Sequence, residues 1–138
     1  AGGGDPAAIE GRLREMARRL DLATHEWEVY YRRSLDAGAT WEEPQRLTVA
    51  PGFSQRPSLA VDGHRVHVAW FDERDGDVEV YVKRSDDGGA RWGDDVRLTT
   101  ARGISEKPSI AAAAGVVHVV WSDDRTGNEE IFYARTRP

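Results

Sequence analysis

Ser34-Leu35-Asp36-Ala37-Gly38-Ala39-Thr40-Trp41 returns 51 residues later as Ser85-Asp86-Asp87-Gly88-Gly89-Ala90-Arg91-Trp92, and that recurrence decides the fold. In a stretch of this kind the Ser and Asp side chains accept hydrogen bonds from backbone N–H groups of a turn, while Gly38 or Gly89 takes a positive φ that other residues resist. Trp41 and Trp92 are expected to anchor the two loops by burying their rings. Working outward, residues 27–87 laid without a gap on 78–138 match at 27 of 61 positions, which internal duplication explains. Val29-Tyr30 meets Val80-Tyr81, Arg46-Leu47-Thr48 meets Arg97-Leu98-Thr99, Pro57-Ser58 meets Pro108-Ser109, and His67 and Trp70 meet His118 and Trp121.

Each period divides into four short apolar runs separated by turn signals, the pattern of propeller blades. Lettered A to D within a repeat, the predicted strands are C over 28–33 and D over 45–47. A complete set follows at 57–61, 66–70, 78–84 and 96–98, then A, B and C at 108–112, 116–121 and 130–135. The fold class expected is therefore all-β, with about two four-stranded antiparallel blades plus an extra strand. The repeat domain spans 27–138.

Residues 1–26 read differently. Asp5 and Pro6 suit the start of a helix, and Ile9, Leu13, Met16 and Leu20 fall on one face of a segment over 6–20. Ile9-Glu10-Gly11-Arg12 also matches an engineered protease-cleavage sequence, which would make part of this leader a cloning remnant. Asp21 aligns with Asp72 and Asp123, so 14–20 occupy the place of a strand B that their sequence does not resemble.

A net charge of −5 argues against a phosphate-binding face, and so against nucleic acid as a partner. No apolar run approaches the roughly 20 residues of a membrane helix, and with no cysteine there are neither disulfides nor thiolate metal sites.

The two Ser-x-Asp-x-Gly-x-x-Trp stretches, with Trp70-Phe71-Asp72-Glu73-Arg74-Asp75-Gly76 and Trp121-Ser122-Asp123-Asp124-Arg125-Thr126-Gly127, make the chain resemble the Asp-box (BNR) repeat, sialidase-like β-propellers. The second box departs only at Arg91, where the family has Thr. That resemblance implies a structural role on C-to-D hairpins for Ser34, Asp36, Gly38, Trp41, Ser85, Asp87, Gly89 and Trp92. It implies an extracellular or periplasmic setting. Catalytic members use an arginine cluster, a Tyr activated by Glu and an Asp acid; here Gln55-Arg56-Pro57-Ser58 is the nearest element, and Tyr30, Tyr31, Tyr81 and Tyr133 read as packing residues of strand C. The expected function is accordingly a non-catalytic scaffold or recognition module, carbohydrate included. The alternative is a sialidase-like glycoside hydrolase, or a fragment of one, with its site formed between chains.

Strands alternate direction, so the B-to-C and D-to-A loops share one end. Arg56, Trp70, Asp72, Arg74, Lys107, Trp121, Asp123 and Arg125 are the ligand-binding candidates there, able to present aromatic faces and bidentate donors to a glycan. A self-closing Asp-x-Arg-x-Gly turn is the competing reading. Asp72, Asp75, Asp77, Asp123, Asp124 and Glu129 are candidate oxygen ligands for calcium without EF-hand spacing, and His67 and His118 lack a second ligand at metal-site spacing. About two blades fall short of the roughly four to eight of a closed propeller, so self-association is expected, a trimer giving six blades being favoured. In such a ring the two end copies of strand C compete for one slot.

Overall fold

The structure, a computed structural model, describes residues 27–136 and is all-β there, with nine strands in three antiparallel sheets, none closed into a barrel. Sheet 1 pairs β1 (Tyr30–Tyr31) with β2 (Gln45–Arg46). Sheet 2 holds β3 (Ser54–Asp62), β4 (Arg65–Asp72), β5 (Glu79–Ser85) and β6 (Val96–Arg97) in chain order. Sheet 3 holds β7 (Ser105–Ala113), β8 (Val116–Asp123) and β9 (Glu130–Arg135). Every predicted strand is present in its predicted order; the helix predicted over 6–20 lies outside the described residues.

The sheets stack face to face, and the two-residue periodicity of the strands decides which residue meets which neighbour. Val68, Trp70 and Tyr81 point from sheet 2 toward Val29 and Leu47 of sheet 1. Ala69 and Val80 point the other way and pack on Ile110, Val119 and Trp121 of sheet 3. Sheet 2 is thus covered on both faces, which is why β4 is buried at every position after Arg65 and reads as a continuous apolar run. Each large apolar side chain fully enclosed in this way contributes about 1.5–3 kcal/mol.

The first strand of each repeat starts three residues earlier than predicted, at Ser54 and Ser105 rather than at the prolines. A proline cannot donate to the ladder, and the structure absorbs it in a bulge: the register shifts between Gln55 and Ser58, and again between Glu106 and Ser109. Inside each bulge sits a non-glycine residue with positive φ, Arg56 at 50° and Lys107 at 54°. Successive sheets are tied at this end by Ser54 N–H donating to Trp27 C=O (2.7 Å) and Ser105 N–H to Val78 C=O (2.9 Å).

Candidate functional site

The candidates cluster at the end where β4 turns into β5. The Asp72 carboxylate accepts from Ser54 Oγ (2.7 Å), Trp70 Nε1 (3.1 Å) and Arg74 N–H (2.9 Å), and it pairs with Arg74 Nη2 at 2.6 Å. Burial works against the charge of Asp72, but the hydrogen bonds from Arg74, Ser54 and Trp70 outweigh it and hold the carboxyl below the usual range. Sheet 3 repeats the arrangement: Asp123 accepts from Ser105 Oγ (2.7 Å), Trp121 Nε1 (2.9 Å) and Arg125 N–H (3.0 Å), and Arg125 is foremost in lowering its carboxyl. Arg74 and Arg125 then lie over the rings of Tyr81 and Phe132 at 4.5 and 4.4 Å.

These bonds use the polar atoms on one another. Trp70 and Asp72 have no accessible surface and Asp123 has 1%, so the aromatic faces expected to meet a sugar are turned into the inter-sheet packing, Trp121 included. Of the eight candidates, Arg56, Lys107 and Arg125 are the exposed ones. Lys107 is engaged by Glu106 and by Glu129 at 3.4 Å, and Glu106 is foremost in raising its ammonium pKa. Arg56 makes no ion pair among the described residues.

Five of the six carboxylates considered for calcium are likewise committed, Asp72 and Asp123 as described, while Asp77 has no such partner among the described residues. Asp75 accepts from Tyr81 Oη and Arg97, Asp124 from Ile104 N–H at 2.6 Å, and Glu129 from Ser122 Oγ at 2.6 Å. Among the described residues no three metal-ligating side chains gather. His67 is buried on its strand, and that burial lowers its pKa; His118 Nδ1 lies 2.8 Å from Tyr133 Oη. Tyr81 has its phenol raised by burial and by Asp75, the opposite of what a nucleophile needs.

At the other end, the two Ser-x-Asp-x-Gly turns have matching hydrogen bonds. Ser34 Oγ accepts from Gly38 N–H (2.8 Å), Asp36 Oδ1 from Thr40 N–H (2.8 Å), and Thr40 Oγ1 donates to Asp36 Oδ2 (2.6 Å). Ser85 accepts from Gly89 N–H (2.8 Å), Asp87 from Arg91 N–H (2.8 Å), and Arg91 Nε at 2.9 Å takes the place of the threonine hydroxyl. The tryptophans diverge. Trp92 packs edge-on against Tyr31 with ring centroids 4.9 Å apart, whereas Trp41 is 53% exposed instead of buried, because among the described residues no sheet lies beyond sheet 1.

Two features escaped the sequence reading. The first is a latch between the third and fourth strands of a blade: Thr99 Oγ1 accepts from Val80 N–H (2.8 Å) and donates to Glu79, which also takes Arg97 Nη2 at 2.5 Å and is wholly buried. Thr48, Arg46 and Glu28 repeat it in sheet 1. Its signal was available as Glu28, Glu79 and Glu130 one period apart, with Arg-Leu-Thr recurring at 46–48 and 97–99. Glu130, on the outer edge of sheet 3, is exposed, and among the described residues its carboxylate meets only Thr126 Oγ1, at 3.1 Å.

The second is a groove of about 1080 Å³ between sheets 2 and 3. Val82, Val96, Leu98, Val119 and Ala134 give it apolar walls, and Arg84, Arg91 and Arg135 stand at its rim with Asp86 and Asp87. Compared with models of known protein families the chain matches none, and it likewise matches no curated protein.

Proposed function

We propose that this chain is a non-catalytic, self-associating blade array of the Asp-box, sialidase-like propeller type, serving as a scaffold. The observation that carries the reading is the relation between its two end faces. Sheet 3 exposes Val120, Ile131 and Tyr133. One period earlier these positions are Ala69, Val80 and Val82, the face of sheet 2 that sheet 3 covers. Sheet 1 exposes Tyr30 at its other end, and one period later that position is Tyr81, buried against sheet 1. The two ends are therefore the two halves of an inter-blade contact the molecule already makes, and a head-to-tail association of copies joins them.

A ring of three chains closes at the six blades of a propeller when β2 of each copy completes sheet 3 of the next, so that these two end sheets count as one blade; stacked as separate layers the three chains would carry nine. Recognition of a glycan at the bulge end falls to Arg56 and Lys107 in this proposal, since the tryptophans nearby are enclosed. Two things favour a scaffold over a hydrolase: Asp72 and Asp123 are held ionised with the help of hydrogen bonds from Arg74 and Arg125, and Tyr81 is held protonated.

Sedimentation or mass photometry of the chain over a range of concentrations tests this. The expected particle is three times the 15.4 kDa chain mass. A well-folded monomer at every concentration refutes it. Sialoside turnover that Arg56→Ala abolishes would replace the scaffold with the hydrolase.

A further inference from the structure

We infer that the groove between sheets 2 and 3 is a socket for residues 34–48 of a second copy of this chain, a deepening of the self-association reading on which it rests. The molecule shows what such a socket holds. Across the sheet 1 to sheet 2 junction, Tyr31 packs its ring on Trp92 at 4.9 Å and donates its hydroxyl to Gly88 C=O at 3.3 Å. Arg33 Nη1 donates to the same carbonyl at 2.7 Å, and Gln45 Nε2 to Gly89 C=O at 3.3 Å. One wall thus grips the tryptophan-bearing turn of the next sheet.

One period on, the wall residues Tyr31, Arg33 and Gln45 become Val82, Arg84 and Val96, and all three line the groove. The segment suited to that wall carries a tryptophan five residues before an arginine and seven before a threonine, as Trp92, Arg97 and Thr99 do. Residues 34–48 carry Trp41, Arg46 and Thr48 at the same spacing. Trp41 is 53% exposed in its own chain, and Arg46 and Thr48 are the pair that grips a strand-borne glutamate. Glu130, on the open edge of β9, is the third such glutamate.

Strand pairing favours the exchange as well. In its own chain β2 is held to β1 through two residue pairs, Tyr30 with Arg46 and Tyr31 with Gln45, whereas β9 offers an edge six residues long. Residues 34–48 seated there place Trp41 over Val82 and Arg46 with Thr48 on Glu130, and β1 gives up its slot.

The test uses the full chain and a labelled synthetic peptide of residues 34–48. Trp41→Ala removes a ring that is exposed within the single chain, so the circular dichroism of the variant should show the native strand content. The variant should run at a lower mass than the native chain and bind the native peptide saturably. The same substitution in the peptide should weaken binding about thirtyfold, as for loss of a buried aromatic anchor. Glu130→Gln in the chain should weaken the native peptide about tenfold, as for a lost charge-assisted contact. A Trp41→Ala chain that keeps the native mass and ignores the peptide overturns the socket, while self-association through the sheet faces stands. Peptide binding that neither substitution weakens overturns the assigned geometry. A native chain that is monomeric throughout, yet binds the peptide, overturns self-association and the second copy as occupant.

Discussion

Asp72→Ala should cost this fold about 4 kcal/mol, far more than the same substitution at Asp36, although each carboxylate collects a comparable set of hydrogen bonds. At Asp72 the partners are Ser54 Oγ, Trp70 Nε1, Arg74 N–H and Arg74 Nη2, around a residue with no accessible surface. Truncation leaves a buried hydroxyl and a buried indole N–H unpaired, at about 1–3 kcal/mol each. It also strips a half-buried guanidinium of one carboxylate, and breaking a buried ion pair typically costs about 3–5 kcal/mol. These losses overlap because the groups form one network, and Asp95, 2.7 Å from Arg74 Nη1, retains part of the charge pairing. The total therefore falls just below the lower end of their sum. A loss of about 4 kcal/mol corresponds to a drop in Tm of about 10–20 °C for a small domain. At Asp36 water replaces Ser34 and Thr40 as partners, because the turn is exposed. Paired urea and thermal melts of the two variants decide the matter. A cost at Asp72 below about 1 kcal/mol, or equal to that at Asp36, would show that the cluster is not a closed structural unit.

Acid should unfold the chain through its carboxylates. The Thr40 hydroxyl and N–H, with Ser34, hold the Asp36 carboxyl down to about 2 from 3.8, and Asp72 and Asp123 are lowered too. The stability they contribute is complete above pH ~4 and is lost as pH falls from there toward 2, so a Tm flat over that window contradicts the assignment. His67, lowered by burial, adds a loss as pH falls below its unfolded value of 6.5, which His67→Gln should remove from the Tm-against-pH curve. Gly38→Ala and Gly89→Ala both strain a positive φ, but only at Gly89 does the new Cβ meet the Tyr31 ring, at 2.5 Å. Gly89→Ala should therefore melt lower, and equal melts would argue against the turn-to-sheet contact. Glu79→Gln should destabilise the chain strongly while Glu130→Gln leaves the monomer's melting unchanged, because only Glu79 is enclosed by its arginine and threonine.

The strands were legible because each turn motif recurs at a fixed interval and brackets a short apolar run; Ser54 and Ser105 were missed as strand starts because a bulge can hide a proline that a regular ladder forbids. Asp72 with Arg74 was legible as a pair, but its seclusion was not, since burial of Trp70 depends on Val29 and Leu47 arriving from another sheet. Trp41 and Trp92 are the same letter in the same motif, and their surroundings differ because one belongs to an inner sheet and the other to an end sheet. A repeat specifies the blade; its neighbours are a property of position in the stack. The groove went unread for that reason too, being a space between two sheets rather than a motif in either.

Sheet 2 is the only one of the three sheets with both faces covered by described residues. In a stack whose layers touch only the next layer, local opening is cheapest at the ends and dearest in the middle. The amides of β4 and β5, from Val66 to Phe71 and from Val80 to Val82, should then be the last to exchange with deuterium. Those of β1, β2 and the β9 edge should exchange through partial openings that leave the centre folded. Such a molecule can loosen a terminal strand without melting, and an outer segment able to change partners needs that freedom.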